Sequence, residues 1–443
     1  MVKRLKLRRL REYSPRDLLA VAIPLLILLA TGFWAASRFI KPAPPDFLVL
    51  SSGGEGGAYQ RFAASYKDVL ARYGVQLIEK PSGGALDNLK RLRDPAFEVD
   101  AAFLQGGVAV PSEDDALLSL GAFYYEPLWV FVRADWQRGA DPDRLIRLRG
   151  KRIAIGGAGS GTNHLARELL YANGIAAENS TLVEAGGIGL ADAFRKGEID
   201  AALVVGPTQS AAVWTLLYTP GVRLMSLSDA DAYGRRFPHL TRMVLPRGTV
   251  DLTADIPSRD LEMVASVATV VVREETHPAL VDLLMIAAAE VHGGHGVFQR
   301  AGEFPHAQVV DFPMSKEADR FFKSGRPFLQ RFLPFWAATL VDRLVVMLIP
   351  ILALLIPVIK VAPALYTWRV RSRIYRRYGE LKFLEAELEA DPGRRSREEW
   401  MKRLEAIEDD ANRLPTPLAF ADMLYTLRGH IGLVRDAVLK KTS

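Results

Sequence analysis

Three glycine-rich turns carry residue types suited to holding a small anion: Ser51-Ser52-Gly53-Gly54-Glu55-Gly56-Gly57-Ala58-Tyr59, Pro81-Ser82-Gly83-Gly84 and Gly156-Gly157-Ala158-Gly159-Ser160-Gly161-Thr162. Each follows a short apolar or β-branched run and opens a helical pattern. Such a turn sets unpaired backbone N–H groups at a helix N-terminus, where the helix dipole also favours negative charge. Gly54, Gly56 and Gly57 let backbone approach a ligand closely, Glu55 adds a carboxylate among them, and Tyr59 can stack or hydrogen-bond. Ser82, Gly83 and Gly84 repeat the first turn in kind. Ser160, Gly161, Thr162 and Asn163 offer hydroxyl, amide and backbone donors at one helix start, and Gln105 ends an apolar run with an amide that can both donate and accept. Structural turns and simple N-caps use the same residues; recurrence at three places is what points to a bound solute.

Catalytic and metal chemistry find less support. His292 and His295 are separated by a flexible Gly pair with no acidic residue beside them, a poor metal site. The third glycine turn lacks the lysine of a phosphate-binding P-loop. Ser160 has no His or Lys in a recognisable nucleophile arrangement. The chain contains no cysteine, which excludes disulfides, thiolate metal sites and cysteine nucleophiles. The expectation is a binding protein with no catalytic residues, no metal and no cofactor.

The elements that must position these turns alternate. Strands are expected at Phe47–Leu50, Val75–Ile78 and Ala101–Leu104, with helices at Ala58–Tyr73 and Ala85–Leu92 between them. The rhythm returns at Arg152–Ile155, Thr181–Val183 and Ala201–Val205, with helices at Asn163–Asn173 and Leu190–Lys196. Two βαβαβ sets predict two α/β lobes with parallel strands, and ligands at the strands' carboxyl ends. The apolar runs Pro127–Val132 and Val267–Val272 fit neither set and read as strands crossing between lobes, a hinge, or as buried core strands.

Both ends of this segment are apolar. Leu18–Ala36 and Leu340–Ile359 are each long enough to span a bilayer, which needs about 20 residues. Pro350 and Pro357 lie inside the second, where proline is tolerated but kinks the helix. Lys3, Arg4, Lys6, Arg8, Arg9, Arg11 and Arg16 precede the first stretch, and Arg369, Arg371, Arg373, Arg376 and Arg377 follow the second. The positive-inside rule then puts both termini in the cytoplasm and residues 46–335 outside it. A cleaved signal peptide ending near Ala35-Ala36-Ser37 is the alternative for the first stretch; its length favours an uncleaved anchor. The net charge of +6 comes largely from these flanks, which favours contact with membrane lipid over nucleic acid. Residues 369–443 carry three helical patterns: Tyr378, Leu381, Leu384 and Leu388, then a capping box at Ser396 and Glu399 with Trp400, Leu404, Ile407, Ala411 and Leu414 at heptad spacing, then Phe420, Leu424, Leu427, Ile431, Val434 and Val438 on one face. An all-α tail that packs or binds a cytoplasmic partner is expected.

Residues 46–330 resemble the TAXI family of solute receptors associated with TRAP transporters. The resemblance rests on residues 51–59, on Pro81-Ser82-Gly83-Gly84-Ala85-Leu86-Asp87-Asn88-Leu89, on Gln105, on Tyr125-Glu126-Pro127, on the run 148–162 and on Gly197-Glu198-Ile199-Asp200-Ala201-Ala202. It implies a type II periplasmic-binding-protein fold: lobe I over about 46–132 and 270–335, lobe II over about 133–269, and a ligand cleft between them. It also implies TRAP permease subunits as partners and a bacterial inner-membrane location. The flanking regions are a basic segment 1–17, membrane helices 18–39 and 340–366, and the tail 369–443. The chain departs from the family pattern at Glu55, where a small or hydroxyl residue is usual, and at Gly107, where Asp is frequent. An added carboxylate at 55 opposes a plain dicarboxylate and favours a zwitterion such as an amino acid. Transport is one reading; a transmembrane sensor acting through the tail is the other.

Overall fold

The computed structural model describes residues 15–37, 43–112, 115–135 and 143–442; the basic cluster at 3–11 lies outside them. The chain divides into two compact units, Pro42–Leu340 and the two ends together, up to Lys41 and from Val341.

In the first unit eleven strands form one sheet: β1 (Phe47–Ser51), β2 (Gln76–Lys80), β3 (Ala101–Gln105), β4 (Leu117–Ser119), β5 (Tyr124–Arg133), β6 (Arg152–Ala154), β7 (Thr181–Val183), β8 (Ala201–Val205), β9 (Val222–Leu224), β10 (Thr241–Leu245) and β11 (Leu261–Arg273). The order is β2-β1-β3-β11-β5-β8-β6-β7, with β4 and β10 on β11 and β9 on β5. Pairing is parallel in the two outer sets, β2-β1-β3 and β8-β6-β7. The two long strands join them in antiparallel register. Tyr124–Pro127 of β5 pairs with Ala268–Ala265 of β11, whereas Leu128–Val132 pairs with Val205–Ala201 of β8. Along β11, Leu261–Ala265 pairs with β10 and Ala268–Val272 with β3. Each long strand therefore leaves one half of the sheet and enters the other, and each extends several residues beyond the apolar run expected from sequence.

Why β5 reads as continuous apolar sequence follows from its surroundings. Leu128, Val130 and Val132 face a core with Leu165, Leu169 and Leu203. Trp129 and Phe131 face the opposite core with Phe194, Val213 and Met263. A strand buried on both faces loses the polar alternation of a half-exposed one. The other half of the sheet has its own core, built on Leu48, Leu50, Phe103, Val270 and helix residues Tyr66, Leu70, Leu284 and Ala287.

The helices are α1 (Pro15–Ser37), α2 (Ala58–Ala71), α3 (Ala85–Arg93), α4 (Gly161–Ala172), α5 (Leu190–Arg195), α6 (Ala211–Leu217), α7 (Ala230–Arg236), α8 (Pro278–His292), α9 (Lys316–Ser324), α10 (Phe335–Ala390), α11 (Arg397–Asn412) and α12 (Ala421–Lys441). Helices α1 and α10 contain apolar windows long enough to cross a bilayer. The sequence suggests a second membrane span and a separate tail helix; both belong to α10, which is 56 residues long and passes Pro350, Pro357 and Pro363 without interruption. In the unit formed by the two ends, α1 and α10 run antiparallel. Buried Asp17 accepts from Arg369 (3.4 Å) and from Arg373. Fifteen residues further along α1, and fifteen residues earlier along α10 than Arg369, Gly32 lies against Leu354 so closely that a Cβ there would stand 2.7 Å from its Cδ2. The C-terminal part of α10 packs with α11 and α12 around Leu381, Leu384, Leu388, Trp400, Leu404, Ile431 and Val438. The capping box is formed: Glu399 N donates to Ser396 Oγ and Ser396 N to Glu399 Oε2, both at 3.2 Å.

Candidate functional site

The three turns leave the carboxyl ends of β1, β2 and β6, and two of them meet. Leu86 and Asp87, in the first turn of α3, both donate their backbone N–H to the carbonyl of Gly159 (3.1 and 3.3 Å). The N-terminus of a helix in one half of the sheet is thus occupied by a carbonyl from a turn in the other. Gly84 permits this approach: its φ is +125°, and a Cβ there would stand 2.9 Å from Ser160 Cα. Gln105, at the end of β3, packs on Gly161; any side chain at 161 would collide with its amide. Ser82 turns inward, donating to Ser52 O (3.4 Å) and accepting from Gly84 N (3.1 Å), while Gly83 remains exposed beside Ala158. Ser82, Gly83, Gly84, Gln105, Ser160 and Gly161 are therefore brought together.

The remaining candidates have other places. Gly54, Glu55 and Gly56 form the exposed tip of the first turn, and Gly57 is half-buried behind it with its N–H on Gly54 O (3.0 Å). Glu55 makes no hydrogen bond among the described residues. Ser160 caps α4, accepting from Asn163 N (3.1 Å) and donating to Gly157 O (2.7 Å). Thr162 Oγ1 accepts from Val205 N (3.2 Å), and the Asn163 amide donates to Gly156 O (3.1 Å) and accepts from Arg167. These hydroxyl and amide groups are already used within their own half. Tyr59 points inward, stacks on Phe103 (5.2 Å) and donates to Glu126 Oε2 (3.2 Å).

Glu126 is the buried group that sequence reasoning noted only as part of a motif. It sits on β5 where that strand pairs with β11, 3% exposed, and takes a second phenol hydrogen bond from Tyr124 (3.4 Å). Burial pushes its carboxyl up to about 8, and the two phenol donors offset only part of that. A lone acid inside a long apolar strand was the available signal. Asn88 was likewise noted only as part of a motif: its amide donates to Ser52 O and Phe103 O (2.7 and 2.8 Å) and accepts from Ser51 Oγ (2.6 Å), tying β1, β3 and α3 together. Asp311 supplies the carboxylate that position 107 lacks, accepting from Gly107 N (3.0 Å) and Ala109 N (3.2 Å). Nothing local in sequence pairs 311 with 107.

Beside the first turn, at Ala58, lies a pocket of about 160 Å³ whose walls come from both halves of the sheet. Arg61 and Phe62 reach it from α2, Tyr124 from β5, His292 from the end of α8, and Thr208 and Gln209 from the loop after β8. Its floor is aromatic: the His292 ring lies 4.5 Å from Phe62 and stacks nearly parallel on Tyr124 at 5.0 Å. Burial pushes His292 down to about 3, so the imidazole is neutral. Among the described residues no cluster of three potential metal ligands occurs.

A family model described as the NMT1-like family matches residues 51–323, more than half of the chain. The chain belongs to the NMT1-like family. This NMT1-like domain is of the periplasmic-binding-protein type. Solved structures resemble it at low identity. The periplasmic aliphatic sulphonate binding protein SsuA from Escherichia coli is 14% identical over 67% of this chain and 75% of its own, with a TM-score of 0.36. SsuA from Xanthomonas axonopodis pv. citri, bound to MOPS, is 18% identical over 42% and 62%, with a TM-score of 0.31. A protein from Bordetella bronchiseptica RB50 is 15% identical over 56% and 72%, with a TM-score of 0.39.

Proposed function

We propose that this protein is a membrane-tethered extracytoplasmic receptor that closes two α/β lobes over a small carboxylate or amino-acid solute and serves TRAP-type transport. One observation carries the reading: turns from the opposite halves of the sheet, between which the two long strands cross, touch directly at Gly84, Leu86 and Gly159. Contacts of this kind are made in a closed arrangement and lost in an open one, so a solute lodged between the halves shifts the balance by its differential contacts alone. Of the residues expected from sequence, Ser82, Gly83, Gly84, Gln105, Ser160 and Gly161 lie at that junction, and the others sit elsewhere on the solute-binding unit. Membrane lipid is the second partner, held by α1 and α10. A thermal-shift screen of the full chain in detergent against organic acids and amino acids tests the reading; no stabilisation by any of them would sink it.

A second reading has its own support. Helix α10 begins at Phe335, next to the solute domain, and ends at Ala390 inside the tail bundle. A receptor that only delivers solute has no use for such a helix, whereas a sensor acting on a cytoplasmic partner does. Deleting residues 397–443 separates them: transport that survives the deletion favours the carrier, and loss of a cytoplasmic response favours the sensor.

A further inference from the structure

We propose that the solute's anionic group is held by Arg61 and His292 in the aromatic pocket, and that the solute is a small carboxylate with an apolar, single-ring-sized body. The inference rests on the solute-receptor reading and names its ligand class and position. The glycine turns are poorly placed to hold an anion themselves. Two N–H groups in the first turn of α3, those of Leu86 and Asp87, are taken by Gly159 O, and the side chains of Ser160, Thr162 and Asn163 are bonded within their own half. The pocket offers the opposite situation. No Asp, Glu or Lys lines it among the described residues, so Arg61 is its one permanent charge. A single Arg61 N–H donates to the carbonyl of Gln209 across the two halves; the four others are available for a planar, two-oxygen acceptor.

His292 adds an independent observation. It is 3% exposed, its Nε2 has no hydrogen-bond partner, and it lines this pocket. A buried polar atom left unpaired is costly, and a group in that position is normally satisfied by something. A carboxylate oxygen accepting from Nε2–H satisfies it while the imidazole stays neutral. The rest of the ligand meets Phe62 and Tyr124, which suit an apolar ring. The volume of about 160 Å³ is well under the roughly 300 Å³ of larger small-molecule sites, which limits the body to about one ring. Because Arg61 touches the solute and Gln209 at once, anion binding there also strengthens closure.

The test uses the full chain in detergent micelles and isothermal calorimetry with benzoate, set against succinate, glutamate and the uncharged benzyl alcohol. Benzoate is expected to bind most tightly, to weaken at least tenfold in Arg61→Gln and several-fold in His292→Phe, and to be unaffected by Arg72→Gln, a charge change at the C-cap of the same helix. Arg61 is exposed, so its variant decides the matter if His292→Phe fails to fold. Benzoate affinity unchanged in folded Arg61→Gln overturns the proposal. So does tight binding of succinate or glutamate that depends on Gln105 rather than Arg61, an outcome that leaves the receptor reading intact. No binding by any of the acids overturns both.

Discussion

At the scale of single residues, the buried ionisable pair Glu126 and His292 makes stability depend on pH in opposite senses. Glu126 holds its proton up to about 8 against 4.5 in a free carboxyl, so its contribution is whole below pH 4.5 and declines as pH rises toward 8. His292 is held at about 3 against 6.5, so its contribution is whole above pH 6.5 and is lost as pH falls toward 3. The two oppose each other between 4.5 and 6.5, and only Glu126 acts between 6.5 and 8. Urea midpoints of wild type should therefore fall across that upper window, at up to about 1.4 kcal/mol per pH unit. Glu126→Gln, which keeps an acceptor for Tyr59, should flatten the decline; an unchanged slope would show that Glu126 ionises freely. Asn88→Ala removes the donor for two buried carbonyls and should cost about 3 kcal/mol by the same measurement.

Elements respond to different substitutions. Gly84→Ala places a Cβ against Ser160 backbone and forces a left-handed-region φ on a residue that resists it. The halves should separate, seen as a larger radius of gyration in X-ray scattering and as weaker solute binding, while each core stays folded. In the tail, Ser396→Ala removes the side-chain half of the capping box at α11 and should lower bundle stability by about 1 kcal/mol. Between α1 and α10, Asp17→Asn leaves Arg369 and Arg373 without their shared carboxylate. Because both guanidinium groups remain partly exposed, the expected loss is modest, about 1 kcal/mol. A thermal melt in detergent that shows no change would mean the pair is only a surface contact.

For the molecule as a whole, the antiparallel packing of α1 on α10 bears on its topology. Two helices of opposite direction, paired at Asp17–Arg369 and again at Gly32–Leu354, put Arg16 and Arg369 at the same end of the pair, the arrangement that the proposed topology, with both termini cytoplasmic, requires. Alkaline phosphatase fused after residue 200 should be active, and fused after residue 443 inactive; the reverse pattern would overturn the extracytoplasmic assignment. The same packing gives α1 a structural role. Asp17 and Gly32 would be lost if the helix were cleaved near Ala36, so mature protein isolated from membranes should retain an N-terminal sequence that precedes Pro15.

Sequence by itself determined the features set by local periodicity and turn chemistry. Thr181–Val183 and Ala201–Val205 fall where expected, the Ser396–Glu399 capping box forms, and Trp400, Leu404, Ile407 and Ala411 are buried on α11, whereas Leu414 lies beyond its end and is half-buried. These depend on neighbours a few residues away, where spacing decides which face a side chain occupies. The crossing strands were legible as unbroken apolar runs, but their extent was not, since Tyr124–Glu126 and Leu261–Ser266 carry polar residues whose burial depends on partners far along the chain. Tertiary structure alone decided that Gly159 fills the start of α3, that Asp311 serves Gly107 and that Arg61 and His292 share a pocket. In each case the groups that meet are separated by tens to hundreds of residues. Hydrogen bonding and close packing at such distances depend on how whole sheets are joined, and no local pattern of residue types records that.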